Sequence, residues 1–330
     1  MNTKTTFYFP FTRLVSRRTR AGLFLLIASG LMAAAPIAPA EQLIIEVESF
    51  ESQTIYHSPQ TPGYTSWLGA WINPDYSLTA SFTQATGPIA DPPNRDFSSL
   101  EVINKYFQST DGGDTWALYR EDAALAPNGL STHPVAMNAQ ATIALSDGTL
   151  IRRVNGEDVS IVDDSVVGTA YLERSAPDST TWENPIYLVD PETFTYQVSR
   201  IRKLRDGRLI TTGQVWTPPA GQRRAGTPVN ARMMVSCDEG LTWTDALTFS
   251  ETEPYMYPNE WDTAELPNGD LLSVWRSRSL ENPGNPTQVR NQALLQNNGA
   301  GWTMTNVQPA PFLHSGHPEL LATQEGVVLH

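Results

Sequence analysis

Ser109-Thr110-Asp111-Gly112-Gly113-Asp114-Thr115-Trp116 and Ser236-Cys237-Asp238-Glu239-Gly240-Leu241-Thr242-Trp243 share one pattern, S-x-D-x-G-x-T-W. Two decayed copies end at Thr181-Trp182 and at Asn297-Asn298-Gly299-Ala300-Gly301-Trp302. In this pattern the Asp side chain can accept hydrogen bonds from its own turn. The glycine permits positive φ, and the tryptophan supplies a large apolar anchor. Asp111, Trp116, Asp238 and Trp243 therefore read as structural residues rather than chemical ones.

A second pattern alternates with the first. Leu145-Ser146-Asp147-Gly148-Thr149-Leu150 recurs as Leu204-Arg205-Asp206-Gly207-Arg208-Leu209 and as Leu266-Pro267-Asn268-Gly269-Asp270-Leu271. Weaker copies are Asn73-Pro74-Asp75-Tyr76-Ser77-Leu78 and Thr323-Gln324-Glu325-Gly326-Val327-Val328. Asp-Gly or Asn-Gly between alternating apolar residues marks a tight β-hairpin. The repeating unit of about sixty residues is then hairpin, connection, hairpin, which is the four-stranded blade of a β-propeller. No sustained helical period interrupts it. The last repeat stops within a strand-like run, Val327-Val328-Leu329-His330. The expectation is an all-β propeller truncated in its fifth blade; the rival is a five-bladed ring closed by residues 41–47.

The first forty residues carry Lys4, Arg13, Arg17, Arg18 and Arg20 and no acid, then an apolar run from Ala21 to Met32 and the small residues Ala38-Pro39-Ala40. This is the layout of a secretory signal peptide. The expected domains are residues 1–40 as signal and 41–330 as propeller, with export to a periplasm or the medium. Cleavage would take the net charge from −13 to −18 by removing five cations. Such a surface repels nucleic acid and anionic membranes, so neither is an expected partner. An anionic substrate would need its own cluster of arginines. Cys237 is the sole cysteine, which excludes an internal disulfide and any zinc-ligand spacing. No metal or cofactor is expected.

The Asp boxes, blade length and signal peptide together resemble the sialidase superfamily of six-bladed propellers. The segment from Asn259 to Arg276 is similar to the fourth-blade segment of bacterial sialidases. Both ends of a hairpin lie at the same edge of its sheet, so Glu260 and Arg276 should meet at the mouth of the central channel. The resemblance implies that Glu260 is the base activating a tyrosine nucleophile. It makes Arg276 one of three arginines gripping a substrate carboxylate, and it puts an acid/base Asp before the first box, at Asp91 or Asp96. The tyrosine and the third arginine would follow His330. The first-blade arginine of the family is missing; Tyr64, Trp67 and Trp71 stand there, ring-rich as in a sugar-stacking surface or in ordinary blade packing.

His317 lies nine residues before Gly326, just as Glu260 lies nine before Gly269. It is either a substrate-binding residue at the channel mouth or an ordinary loop residue. The resemblance implies a retaining exo-glycosidase releasing a terminal, acidic sugar from a glycan. Two other readings stay open: a propeller lyase or hydrolase on a uronate-containing polysaccharide, using His and Tyr, and a non-catalytic glycan-binding propeller.

Overall fold

Asp147-Gly148, Asp206-Gly207 and Asn268-Gly269 form the same turn, and these turns set the architecture. The glycine takes the left-handed conformation that closes it, at φ of 90° for Gly148, 91° for Gly207 and 84° for Gly269. Its amide donates to the leucine three residues back at 3.0 Å in all three cases. In the first sheet Tyr76 stands at the glycine position and adopts φ of 67°.

The computed structural model describes residues 52–59, 63–86, 101–123, 142–154, 158–160, 166–167, 170–183, 185–190, 195–216, 229–250, 259–278, 288–299, 301–311, 317–323, 326 and 328–329. The proposed signal segment, Asp91 and Asp96 lie outside them. All described strands belong to one compact unit, Ser58–His330.

Four antiparallel four-stranded sheets follow one another along the chain, with no helix among the described residues. The first comprises β1 (Gly63–Ile72), β2 (Leu78–Thr86), β3 (Glu101–Ser109) and β4 (Ala117–Ala123). The second comprises β5 (Thr142–Ala144), β6 (Leu150–Val154), β9 (Tyr171–Ser175) and β10 (Ile186–Tyr187). It departs from the simple repeat through a small inserted hairpin, β7 (Asp158–Ser160) with β8 (Val166–Val167). The third comprises β11 (Thr195–Lys203), β12 (Leu209–Trp216), β13 (Val229–Ser236) and β14 (Thr244–Ser250). The fourth comprises β15 (Asn259–Glu265), β16 (Leu271–Arg278), β17 (Gln288–Asn297) and β18 (Trp302–Pro309). A fifth pair follows, β19 (Leu321–Ala322) with β20 (Val328–Leu329).

The first strand of each sheet touches the first strand of the next: β1 with β5, β5 with β11, β11 with β15, and β15 with β19. First strands therefore gather along one axis and each sheet extends outward from it, which is the arrangement of propeller blades.

Packing is from sheet face to sheet face. Leu209 and Met234 of the third sheet join Ile151 and Leu172 of the second in one buried cluster. Their immediate neighbours Ile210 and Met233 join Trp261, Trp275 and Leu295 of the fourth sheet in another. Successive strand residues point to opposite faces, so the third sheet is buried on both sides. Ala264 and Val274 carry the same packing to Leu320 at the start of the fifth pair.

The S-x-D-x-G-x-T-W turns lie between the third and fourth strands. Asp111 accepts the Thr115 amide at 2.9 Å and hydroxyl at 2.5 Å, and the Ser109 hydroxyl at 2.8 Å. These Thr115 and Ser109 bonds hold its carboxyl down at about 2. Asp238 repeats the arrangement with Thr242 and Ser236. Trp116 and Trp243 each donate from Nε1 to their box glycine, Gly113 and Gly240, at 3.0 Å. In the decayed second copy, Trp182 is instead stacked by two guanidinium groups, Arg152 at 3.8 Å and Arg120 at 4.7 Å from its ring centre. Asp122 accepts from both arginines, and Glu173 binds Arg152 at 2.8 Å. This cluster ties β4 of the first sheet to β6 and β9 of the second.

Gly213 in β12 is set by packing rather than by a turn. A Cβ there would run into the Gln197 carbonyl and come within 2.9 Å of the Tyr196 ring. The buried Tyr196 crosses that space to donate from its hydroxyl to the Arg232 carbonyl at 3.1 Å. Gly213→Ala is expected to cost about 1–3 kcal/mol by overpacking, read as a lowered urea midpoint without a change in slope.

Candidate functional site

Glu260 opens β15 and interrupts its pairing. Asn259 pairs with Arg276 and Trp261 with Trp275, leaving Glu260 as an extra residue in the ladder. Its φ is 48°, in the left-handed region that a glutamate rarely occupies. Such strain persists only where surrounding contacts hold it. One of those contacts is visible: the buried Thr212 hydroxyl, from the neighbouring sheet, donates to the Trp261 carbonyl at 2.6 Å. The bulge turns the Glu260 carboxylate toward Arg276, whose Nη1 donates to it at 2.7 Å. Both side chains keep 22% exposure, so the pair is open to solvent.

Three more arginines matter here: Arg290 adjoins this pair, and Arg153 and Arg200 act with Arg276 and Arg290 on His317. Arg290 on β17 is the cross-strand partner of Arg276 and is 2% exposed. Burial first, and Arg276 as well, disfavour its charge, while Glu260 favours it; its proton affinity falls on balance. Arg153 on β6 is 1% exposed and donates to the Val198 carbonyl of β11. Burial, then the like charge of Arg200, pull it down to about 9, so it stays cationic at neutral pH. Arg200 on β11 donates from Nη2 to the Pro318 carbonyl at 3.3 Å and to Glu319 at 3.2 Å.

Those last contacts anchor the segment that carries His317. Its Nδ1 is buried and has no hydrogen-bond partner among the described residues. Burial depresses the basicity of the imidazole most, and Arg200, Arg153, Arg276 and Arg290 depress it further. Burial and four guanidinium groups drawn from three sheets thus act together to lower the proton affinity of His317.

Asp262 holds the inner strands that present these groups. It is fully buried and takes both Arg202 nitrogens, Nε at 2.9 Å and Nη2 at 2.5 Å. It also accepts the amide of Thr263 at 2.8 Å and that of Leu320 at 2.7 Å. One carboxylate thus links β11, β15 and the segment leading into β19.

The structure pairs Glu260 with Arg276, and Arg276 is one of the charges that act on His317. Tyr64 and Trp67 lie in β1, but their side chains are outside the described set, as are Asp91 and Asp96 altogether. Trp71 donates from Nε1 to Asn73 at 2.9 Å and meets Tyr106 edge-on. The resemblance implied two further arginines, one in the first blade that this sequence lacks and one after His330. The described residues add Arg153, Arg200 and Arg290 from the second, third and fourth sheets. One signal was present: Arg290 follows Arg276 into the adjacent strand. Arg153 and Arg200 required knowing which strands adjoin. No group of three His, Cys, Asp or Glu converges as a metal site among the described residues.

No protein-family model and no curated protein matches the sequence. Solved structures do resemble the chain. A protein of unknown function from Dyadobacter fermentans DSM 18053 is 18% identical over 81% of this chain and 74% of its own, with a TM-score of 0.54. The α-L-arabinanase of Penicillium chrysogenum, solved with arabinobiose, is 16% identical over 80% of this chain and 74% of its own, with a TM-score of 0.50. A Hadza microbial sialidase is 19% identical over 73% of this chain and 46% of its own, with a TM-score of 0.47. At these identities the first two show a shared fold alone: the chain is an all-β propeller.

Two outcomes are expected from this geometry. Asp262→Ala strands the Arg202 guanidinium and the Leu320 amide and should cost about 3 kcal/mol, measured by denaturant unfolding. Folded His317 stays neutral where the unfolded chain takes up a proton near pH 6.5. Native stability should therefore fall as pH drops below about 6.5, by up to about 1.4 kcal/mol per unit until the folded imidazole also titrates. His317→Gln should flatten that part of the stability–pH curve.

Proposed function

We propose that this chain is an exported retaining exo-glycosidase that removes a terminal acidic sugar from a glycan. The observation that carries the proposal is the Glu260–Arg276 pair, set in a strained bulge next to Arg290, with Arg153 and Arg200 acting alongside Arg276 and Arg290 on His317, on a chain of net charge −13. On such a chain a cationic cluster does not arise from composition. A planar guanidinium matches a carboxylate in two-point contact.

In this reading the arginines seat the sugar's carboxylate, and that binding orients the glycosidic bond over Glu260. Glu260 acts as the base of the reaction and Arg276 orients its carboxylate. Asp91 or Asp96 supplies the proton to the departing oxygen, and a tyrosine outside the described residues serves as nucleophile. Sialidases depart in this way from the two-carboxylate scheme of most glycosidases. The resemblance of the Asn259–Arg276 segment to bacterial sialidases, together with the propeller fold, supports the assignment.

The test is turnover of fluorogenic glycosides of N-acetylneuraminate, of glucuronate and of neutral arabinose. An acidic glycoside should be cleaved, and Glu260→Gln should lower kcat/KM by about a hundredfold or more while the melting curve persists. Cleavage of the arabinoside alone would overturn the acidic-sugar reading. Unsaturated-uronate absorbance without hydrolysis would replace the glycosidase by a lyase.

A further inference from the structure

We infer that His317 is part of the oxyanion site itself, and that an anionic ligand seated among Arg153, Arg200, Arg276 and Arg290 brings one proton onto the imidazole. This rests on the acidic-sugar reading above and adds a contact residue and a linked proton to it.

The argument begins with unsatisfied polarity. A buried polar atom without a partner costs about 1–3 kcal/mol and calls for a reason. His317 Nδ1 is such an atom among the described residues. Its segment is not loosely placed: Arg200 grips the Pro318 carbonyl and Glu319, and Asp262 grips the Leu320 amide. The imidazole is therefore held in position while one nitrogen stays free for something else.

The charges around it indicate what that is. Arg153 reaches the site from β6, Arg200 from β11, Arg276 from β16 and Arg290 from β17, and all four act on the imidazole. The nearby carboxylates are already engaged. Glu260 on β15 binds Arg276, Asp262 binds Arg202, and Glu319 binds Arg200 with 56% of its side chain exposed. Among the described residues the charges acting on His317 are those of these four guanidinium groups. In this field an imidazolium is disfavoured, and so is any further cationic or neutral guest relative to an anion.

A sugar carboxylate reverses the balance. It neutralises part of the arginine charge and offers an acceptor that an imidazolium N–H can meet. The bound state therefore tolerates His317⁺ where the free state does not. By linkage, a proton bound more tightly in the complex makes the complex tighter at lower pH. Ligand affinity should rise as pH falls below neutral, by at most about tenfold per pH unit for a single coupled proton.

The experiment is isothermal titration of the full chain with N-acetylneuraminate and with D-glucuronate, using glucose as the neutral control. Titrations at pH 6 in two buffers of different ionisation enthalpy count the protons exchanged. The expected result is uptake approaching one proton per acidic sugar, with affinity rising from pH 8 to pH 5. His317→Gln and His317→Asn should abolish the uptake and flatten that pH dependence, with folding checked by melting curves. Acidic-sugar binding with no proton uptake, or the same uptake in both variants, overturns the role of His317 and leaves the acidic-sugar reading intact. Failure of both acidic sugars to bind at any pH overturns the two together.

Discussion

A single buried carboxylate, Asp262, sets the geometry on which the candidate site depends. It spends its lone pairs on a two-point contact with Arg202, on its own strand and on the Leu320 amide. Those partners belong to three successive innermost segments. Glu260 lies two residues before it, Arg200 two residues before its partner arginine, and His317 three residues before Leu320. A displacement of this carboxylate would therefore be felt by three members of the site at once. Burial of such a pair is costly unless every polar group is met; here four donors meet the acid, and the gain is in mutual placement.

The site is electrostatically opposed to its surroundings. The chain carries a net charge of −13, yet four guanidinium groups act on one imidazole. Arg153, Arg200 and Arg290 are almost fully buried, so water screens them little and their charge acts on whatever enters beside them. The negative exterior does not assist the approach of an anion, so selectivity must come from these contacts.

Strain and support are paired in the same region. The left-handed Glu260 is bracketed by Thr212 from the neighbouring sheet and by the Arg276 contact across its own hairpin. Packing on both faces of the third sheet keeps β12, and with it Thr212, in register. Backbone strain at the bulge is thus borne by blade-to-blade packing rather than by local sequence.

The sequence alone determined the hairpins. Asp-Gly and Asn-Gly turns need positive φ, and box aspartates satisfy their own turns, so these elements are local and could be read from residue type and spacing. The same logic brought Glu260 and Arg276 to one edge, because a hairpin returns to where it began. Only the tertiary structure decided which arginines share the site. Arg153, Arg200 and Arg290 sit on different sheets, and their convergence depends on strand adjacency, burial and a one-residue bulge. None of these has a local signature: a shift of one residue in a strand reverses the direction of a side chain, and only packing against neighbouring sheets selects the register.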